Sequence, residues 1–135
     1  MPAQGLMLDT NALSELIRNP QGSLATRLGT IAPERICTSI VAACELRIGA
    51  LRKGSAPLTR RVEQLLGALP VLPLQPPADA HYADIRAALE RKGSPIGSHD
   101  LLIAAHARAH GMILITRNLR EFRHVPKLLA QDWPD

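Results

Sequence analysis

The sequence predicts an α/β/α sandwich around a mostly parallel central sheet of four to five strands. Three observations carry that expectation. Short apolar runs alternate with stretches of helical character, the pattern of a sheet covered by helices. Apolar residues make up 46% of the 135 residues while aromatics are only 2%, so the core must be aliphatic, as in tightly packed helix-on-sheet layers. Finally, acidic residues stand where apolar runs stop and helix-start signals begin. Ligands of open α/β sheets bind outside the carboxyl ends of the strands.

The elements follow in chain order. Leu6-Met7-Leu8 is a first strand, and a helix over about residues 12–18 stops at Asn19-Pro20. Gly22-Ser23 starts another helix that reaches Gly29. Residues 35–38 form a second strand, and Thr38 or Ser39 caps a helix running to Gly54, where Gly-Ser-Ala-Pro makes a turn. A helix over residues 58–68 leads to a strand at 71–74, whose proline favours an edge or a strand end. The helix starting at Pro76-Pro77-Ala78-Asp79 ends at Lys92-Gly93-Ser94-Pro95. Ser98 caps the next helix, which Gly111 closes, and Met112 to Ile115 is the clearest strand. A last apolar piece, residues 128–130, adds an edge strand near Trp133. The chain has no repeat, linker or low-complexity segment, so residues 1–135 read as one domain, long enough for a real core.

Charge and cysteine usage bound the function classes. The net charge is +4, and 13 of the 16 basic residues are arginine, a side chain suited to bidentate phosphate contacts. No basic run exceeds two residues, so an anionic partner is admitted but not required. The scarcity of aromatics argues against base-stacking recognition. Cys37 and Cys44 fit no metal-ligand or redox spacing and read as small buried hydrophobes in a reduced cytoplasm. The N-terminus lacks a signal-peptide pattern and nothing approaches the ~20 apolar residues of a membrane span. The expectation is a cytoplasmic protein with no membrane partner.

Four acids define the candidate chemistry. Asp9 begins Asp-Thr-Asn, three capping-type residues where one cap needs a single side chain. On the helix from Ser39, at about 100° per residue, Ile40, Leu51, Cys44, Ile48 and Val41 form a continuous apolar arc, and Glu45 lies about 40° beyond its edge. A carboxylate at such a margin is costly unless it pairs, with Arg47 or Arg52 for instance, or binds a metal. Asp100 sits in a first helical turn, where the helix dipole alone would explain it. Asn118 and Glu121 follow the strand ending at Ile115 and read equally as a turn residue and a solvated acid. Acids converging at strand ends would repel one another without a cation, which points to a metal site and to chemistry on phosphates. His106 and His110, four apart on one helix face, lack a third ligand and read as core or surface histidines.

The combination is more specific than its parts. Leu8-Asp9-Thr10-Asn11, Ser39 with Ala43-Cys44-Glu45-Leu46, the segment from Gly97-Ser98-His99-Asp100 to Ala107, and Thr116-Arg117-Asn118-Leu119-Arg120-Glu121-Phe122 together resemble the motifs of PIN-domain proteins, above all the VapC-type toxins. The resemblance covers nearly the whole chain. It implies a PIN-like fold and a Mg²⁺- or Mn²⁺-dependent endoribonuclease, the toxin of a type II toxin–antitoxin pair, with tRNA the favoured substrate. By position, Asp9, Glu45, Asp100 and Glu121 match the family's acidic quartet. Asn11, Ser39 and Thr116 or Asn118 match polar positions that orient acids, substrate or water. Arg117 and Arg120 would hold RNA phosphates, neutralise the acids or receive an antitoxin segment. The family also implies a homodimer, a cognate antitoxin, and operator DNA contacted only through the antitoxin complex. Two departures stand out: many PIN domains have aspartate where this chain has Asn118, leaving Glu121 as fourth acid, and His99 stands beside Asp100 where other residue types are common. The alternative function is a non-catalytic PIN-fold subunit of a DNA-binding regulatory complex.

Overall fold

The computed structural model describes residues 4–132. Five strands form one all-parallel sheet: β1 (Leu6–Leu8), β2 (Ile36–Ser39), β3 (Val71–Leu72), β4 (Ile113–Ile115) and β5 (Leu129–Gln131), in the order β3-β2-β1-β4-β5. The seven helices among the described residues are α1 (Thr10–Arg18), α2 (Ser23–Leu28), α3 (Ile40–Lys53), α4 (Ala56–Gly67), α5 (Ala78–Lys92), α6 (Ser98–Ala109) and α7 (Leu119–Phe122). Strand ends moved by one or two residues from expectation. The strand at 71–74 stops at Leu72, before Pro73, which has no amide to extend the ladder. Trp133 lies outside the described residues.

The strand order explains where a site can form. From β1 the chain builds outward on one side through β2 and β3, then returns to place β4 on β1's other side. The carboxyl ends of β1 and β4 are therefore the topological switch point, where helices leave in opposite directions and a crevice opens. Register sharpens this. Leu8 pairs with Thr38 and with Ile115, so the next residues, Ser39, Asp9 and Thr116, form one row across three strands. The Thr38 hydroxyl donates to the Leu8 carbonyl at 2.6 Å, and the Asp9 amide donates to the Ile115 carbonyl at 3.1 Å.

The central strands are buried on both faces, as parallel strands under two helical layers must be. The core is aliphatic apart from Phe122, with Leu6, Leu8, Leu13, Leu24, Ile85, Leu89, Ile103 and Leu114 among its members. Gly54 and Gly93 end α3 and α5 in the left-handed conformation, at φ 62° and 69°, where a side chain would be strained.

One expectation about α3 fails. Of the predicted apolar arc only Val41 is buried; Ile40, Cys44, Ile48 and Leu51 face outward, Leu51 being 67% exposed. The buried side is Val41, Ala42, Ala43, Leu46 and Ala50. Small alanines let α3 lie close to its neighbours, so the face with the larger side chains is not the one that packs. Cys44 is accordingly exposed, correcting its assignment as a buried hydrophobe, while Cys37 is buried as expected.

Candidate active site

Asp9 ends β1 and performs two tasks with its two oxygens. Oδ1 accepts the Ala12 amide at 2.8 Å and caps α1, as its position before Thr-Asn predicts. Oδ2 is buried and has no hydrogen-bond partner among the described residues, on a side chain only 1% exposed. Burial pushes the carboxyl up to about 6. The Thr116 hydroxyl and the Ala12 amide pull against that shift without satisfying Oδ2, and the charge of Glu45 adds to it.

Glu45 reaches the same place from α3. Its Oε1 accepts the Thr10 hydroxyl at 2.7 Å, and its Oε2 lies 3.1 Å from Nδ1 of His99. Neither arginine weighed as its partner takes that role; Arg47 instead bonds Glu63 across α3 and α4. Each oxygen of Glu45 keeps a second lone-pair direction free. A groove between α1, α3 and α4 opens beside it, with Thr10, Ser14, Arg18 and Lys53 among its lining residues.

Asp100 and Glu121 complete the cluster. Gly97 caps α6 in place of the predicted Ser98, which is already helical, and Asp100 sits in the first turn. Gly97 donates its amide to Glu121 Oε1 at 3.3 Å, and Asn118 donates its side-chain amide to Glu121 Oε2 at 2.6 Å. Asn118 is in turn fixed by its own amide donating to the Thr116 hydroxyl at 2.9 Å. Asn118 thus holds the acid that supplies the charge. Burial first, then the hydrogen bond with Glu121, then the charges of Glu121, Glu45 and Asp9 push Asp100 up to about 7. Asp100 therefore lies within electrostatic reach of the other three predicted acids, and Asp9 within reach of Glu45.

Such a cluster is strained by its own charge. No three His, Cys, Asp or Glu side chains among the described residues close round one point as a ready-made cage. The donor set is nonetheless suited to a hard divalent cation that keeps several waters, and the orphaned Oδ2 of Asp9 lacks only such a partner. The raised values fix the sign of a stability effect. In the cation-free protein Asp9 and Asp100 favour folding most below about pH 4, and that contribution is lost as pH rises through about 6 and 7. Asp100→Asn should therefore raise the melting temperature of the cation-free protein at pH 8 by roughly 3–6 °C, with little change at pH 4.5; calorimetry at the two pH values checks it.

The supporting residues divide. Ser39 caps α3 as expected, its hydroxyl accepting the Val41 amide at 3.1 Å, and the same hydroxyl lies 2.7 Å from Nδ1 of His106. His106 is fully buried, as a core histidine, and burial lowers its pKa ahead of the nearby His110. Asn11 is exposed and contributes its backbone amide beside Asp9. Arg117 pairs with Asp132 at 3.4 Å, and Arg120 is exposed on α7. Thr10 and His99, the two partners of Glu45, were missed as functional positions. Thr10 stands inside a quoted motif, but its contact spans 35 residues and leaves no local signal.

Carboxylates gathered at the switch point of a five-stranded parallel sheet define a class of fold and site. The PIN domain family model matches residues 6–128, and the chain belongs to the PIN-domain family. Within that family it is 38% identical over 129 residues to the tRNA(fMet)-specific endonuclease VapC of Salmonella typhimurium strain LT2, covering 94% of this chain and 96% of that one. It is similar in structure to VapBC2 from Rickettsia felis bound to a DNA fragment from its promoter, with TM-score 0.89, 30% identity, and coverage of 96% and 98%. DNA-bound VapBC from Salmonella typhimurium matches with TM-score 0.87 at 36% identity, covering 98% and 100%.

Proposed function

We propose that this chain is an endoribonuclease that uses Mg²⁺, or Mn²⁺ in its place, and serves as the toxin of a type II toxin–antitoxin pair. The observation that carries the reading is the convergence of Asp9, Glu45, Asp100 and Glu121 at the β1–β4 switch point with the Asp9 Oδ2 left unsatisfied. Similarity to a tRNA(fMet)-specific endonuclease makes tRNA the substrate class to test first.

Asp9, the one fully buried acid of the four, and Asp100 would hold the cation, with Glu45 and Glu121 completing its surroundings. When bound, the cation supplies polarisation of the scissile phosphate, a lowered pKa for an attacking water and stabilisation of the leaving 3′-oxygen. The protein's part is to fix the oxygens beforehand: Thr10 and His99 hold Glu45, while Asn118 and the Gly97 amide hold Glu121. Arg120, exposed on the helix that carries Glu121, is available for an RNA phosphate, and Arg117 reaches one by exchanging its contact with Asp132. Hydrolysis of this kind leaves a 5′-phosphate and draws nothing from the 2′-hydroxyl.

A cation must displace the protons that the raised pKa values retain. Binding of Mg²⁺ should therefore tighten as pH rises from 5 to 8 and release about one proton near pH 6.5. Titration calorimetry in two buffers of different ionisation enthalpy measures that release; a pH-independent affinity would contradict the assigned ligands. The activity itself is tested by incubating total RNA with the purified protein and Mg²⁺, with an EDTA control. Discrete cuts lost in EDTA support the reading, and intact RNA throughout overturns it.

The assembly follows the same logic. Several structural neighbours are VapBC complexes, two of them bound to DNA and one of these to a promoter fragment, and this chain is proposed to pair with a cognate antitoxin and to reach operator DNA through that complex. The exposed apolar strip of α3 supports a homodimer. Among the described residues no helix is long and apolar enough to cross a membrane.

A further inference from the structure

Hydrolysis by an activated water is blind to the sugar, since the 2′-hydroxyl takes no part in it. Selectivity for RNA must then come from a contact, and the site offers one. His99 is the second residue of α6, beside Asp100. Its Nδ1 lies 3.1 Å from Glu45 Oε2, and the opposite oxygen of that carboxylate is held by Thr10 at 2.7 Å. An ionised carboxylate only accepts, so Nδ1 carries the proton and donates. In the neutral imidazole the other nitrogen, Nε2, is then a bare acceptor. The His99 side chain is 64% exposed, and Nε2 makes no hydrogen bond among the described residues. A polynucleotide backbone passing the four acids presents phosphate oxygens, which only accept, and in RNA a 2′-hydroxyl, which can donate. A bare Nε2 matches the hydroxyl and not the phosphate.

The geometry points to His99 as a sugar-reading residue: with Nδ1 tied to Glu45, its Nε2 accepts a hydrogen bond from the ribose 2′-hydroxyl of a nucleotide flanking the scissile phosphate. This rests on the endoribonuclease reading above. It makes His99 a determinant of RNA over DNA, distinct in role from the acids that hold the cation.

The test uses a short RNA that the wild-type protein cuts, made with a single 2′-deoxy substitution at each nucleotide flanking the cut, and measured at pH 8 in Mg²⁺. Wild type should lose about tenfold in kcat/KM at one position, the worth of one good hydrogen bond. His99→Asn keeps a donor where Nδ1 stood and removes Nε2. It should cut the all-RNA substrate about tenfold more slowly than wild type and be indifferent to the deoxy substitution. His99→Phe, which also loses the Glu45 contact, should show the same indifference at a lower overall rate. A His99→Asn protein that keeps the wild-type sensitivity at that position overturns the proposal and leaves His99 holding Glu45 only. Wild type that is insensitive at every flanking position overturns it too. Failure to find any RNA that the wild type cuts would instead count against the endoribonuclease reading.

Discussion

Asp9→Asn should abolish RNA cleavage while leaving the fold intact. The side chain's two oxygens separate the effects. Oδ1 caps α1 through the Ala12 amide, and asparagine caps as well as aspartate, so the helix start survives. Oδ2 is the buried, unpartnered atom that the proposed cation would take, and an amide nitrogen could not replace it there. Removing one group that stabilises charge at a reacting centre costs roughly 10²–10³ in rate, and the loss of a cation ligand sets that range as a minimum here. The melting temperature should stay within a few degrees, because the variant also removes a carboxyl that burial pushes up to about 6. A gel-based cleavage assay paired with thermal unfolding checks both halves. A variant that still cuts at near wild-type rate would show that the cation sits elsewhere.

Phe122→Ala should give the largest loss of stability of any single truncation considered. Phe122 is the chain's only phenylalanine and is 1% exposed, with its ring in the core beneath α7. Truncating a buried phenylalanine costs about 3–5 kcal/mol, or roughly 10–20 °C in melting temperature for a domain of this size. The consequence reaches the site, because α7 is one short turn and carries Glu121 one residue before the ring. Cleavage measured well below the transition, at 15 °C, should fall by more than the unfolded fraction explains. Scanning calorimetry with that assay tests the coupling; a variant that melts within a few degrees of wild type would place the anchor of α7 in other residues.

How much of this was legible in the sequence differs from residue to residue. Asp9 and Thr116 were legible because each follows a short aliphatic run, and a parallel sheet brings the ends of such runs together without further information. Glu45 was picked out from an apolar arc that proved to be largely on the outer face of its helix. Helical spacing tells which residues share a face, but not which face meets the sheet. On α3 the alanines decided that, and they weigh little in any hydropathy pattern. The clamp on Glu45 was not legible: Thr10 and His99 lie 35 and 54 residues away, and only the completed packing of α1, α3 and α6 makes them neighbours. The Ser39–His106 bond, spanning 67 residues, was hidden for the same reason. Asn118 looked like a missing acid in the sequence, and the structure shows it as the residue that aims Glu121.

The order in which the sheet is assembled carries a consequence for a protein that damages the cell making it. β4 lies beside β1 near the middle of the sheet, yet it enters the chain after β2, β3 and six of the seven helices described. Until it arrives, one edge of β1 is open, Asp9 lacks the Ile115 carbonyl for its amide, and neither Asn118 nor Glu121 exists. Domains fold as units while synthesis proceeds at about 5–20 residues per second. A ribosome that has made the first four fifths of this protein therefore carries a chain whose acidic cluster is still incomplete. The cluster closes only with the last strands, leaving an interval in which a partner already present can be waiting.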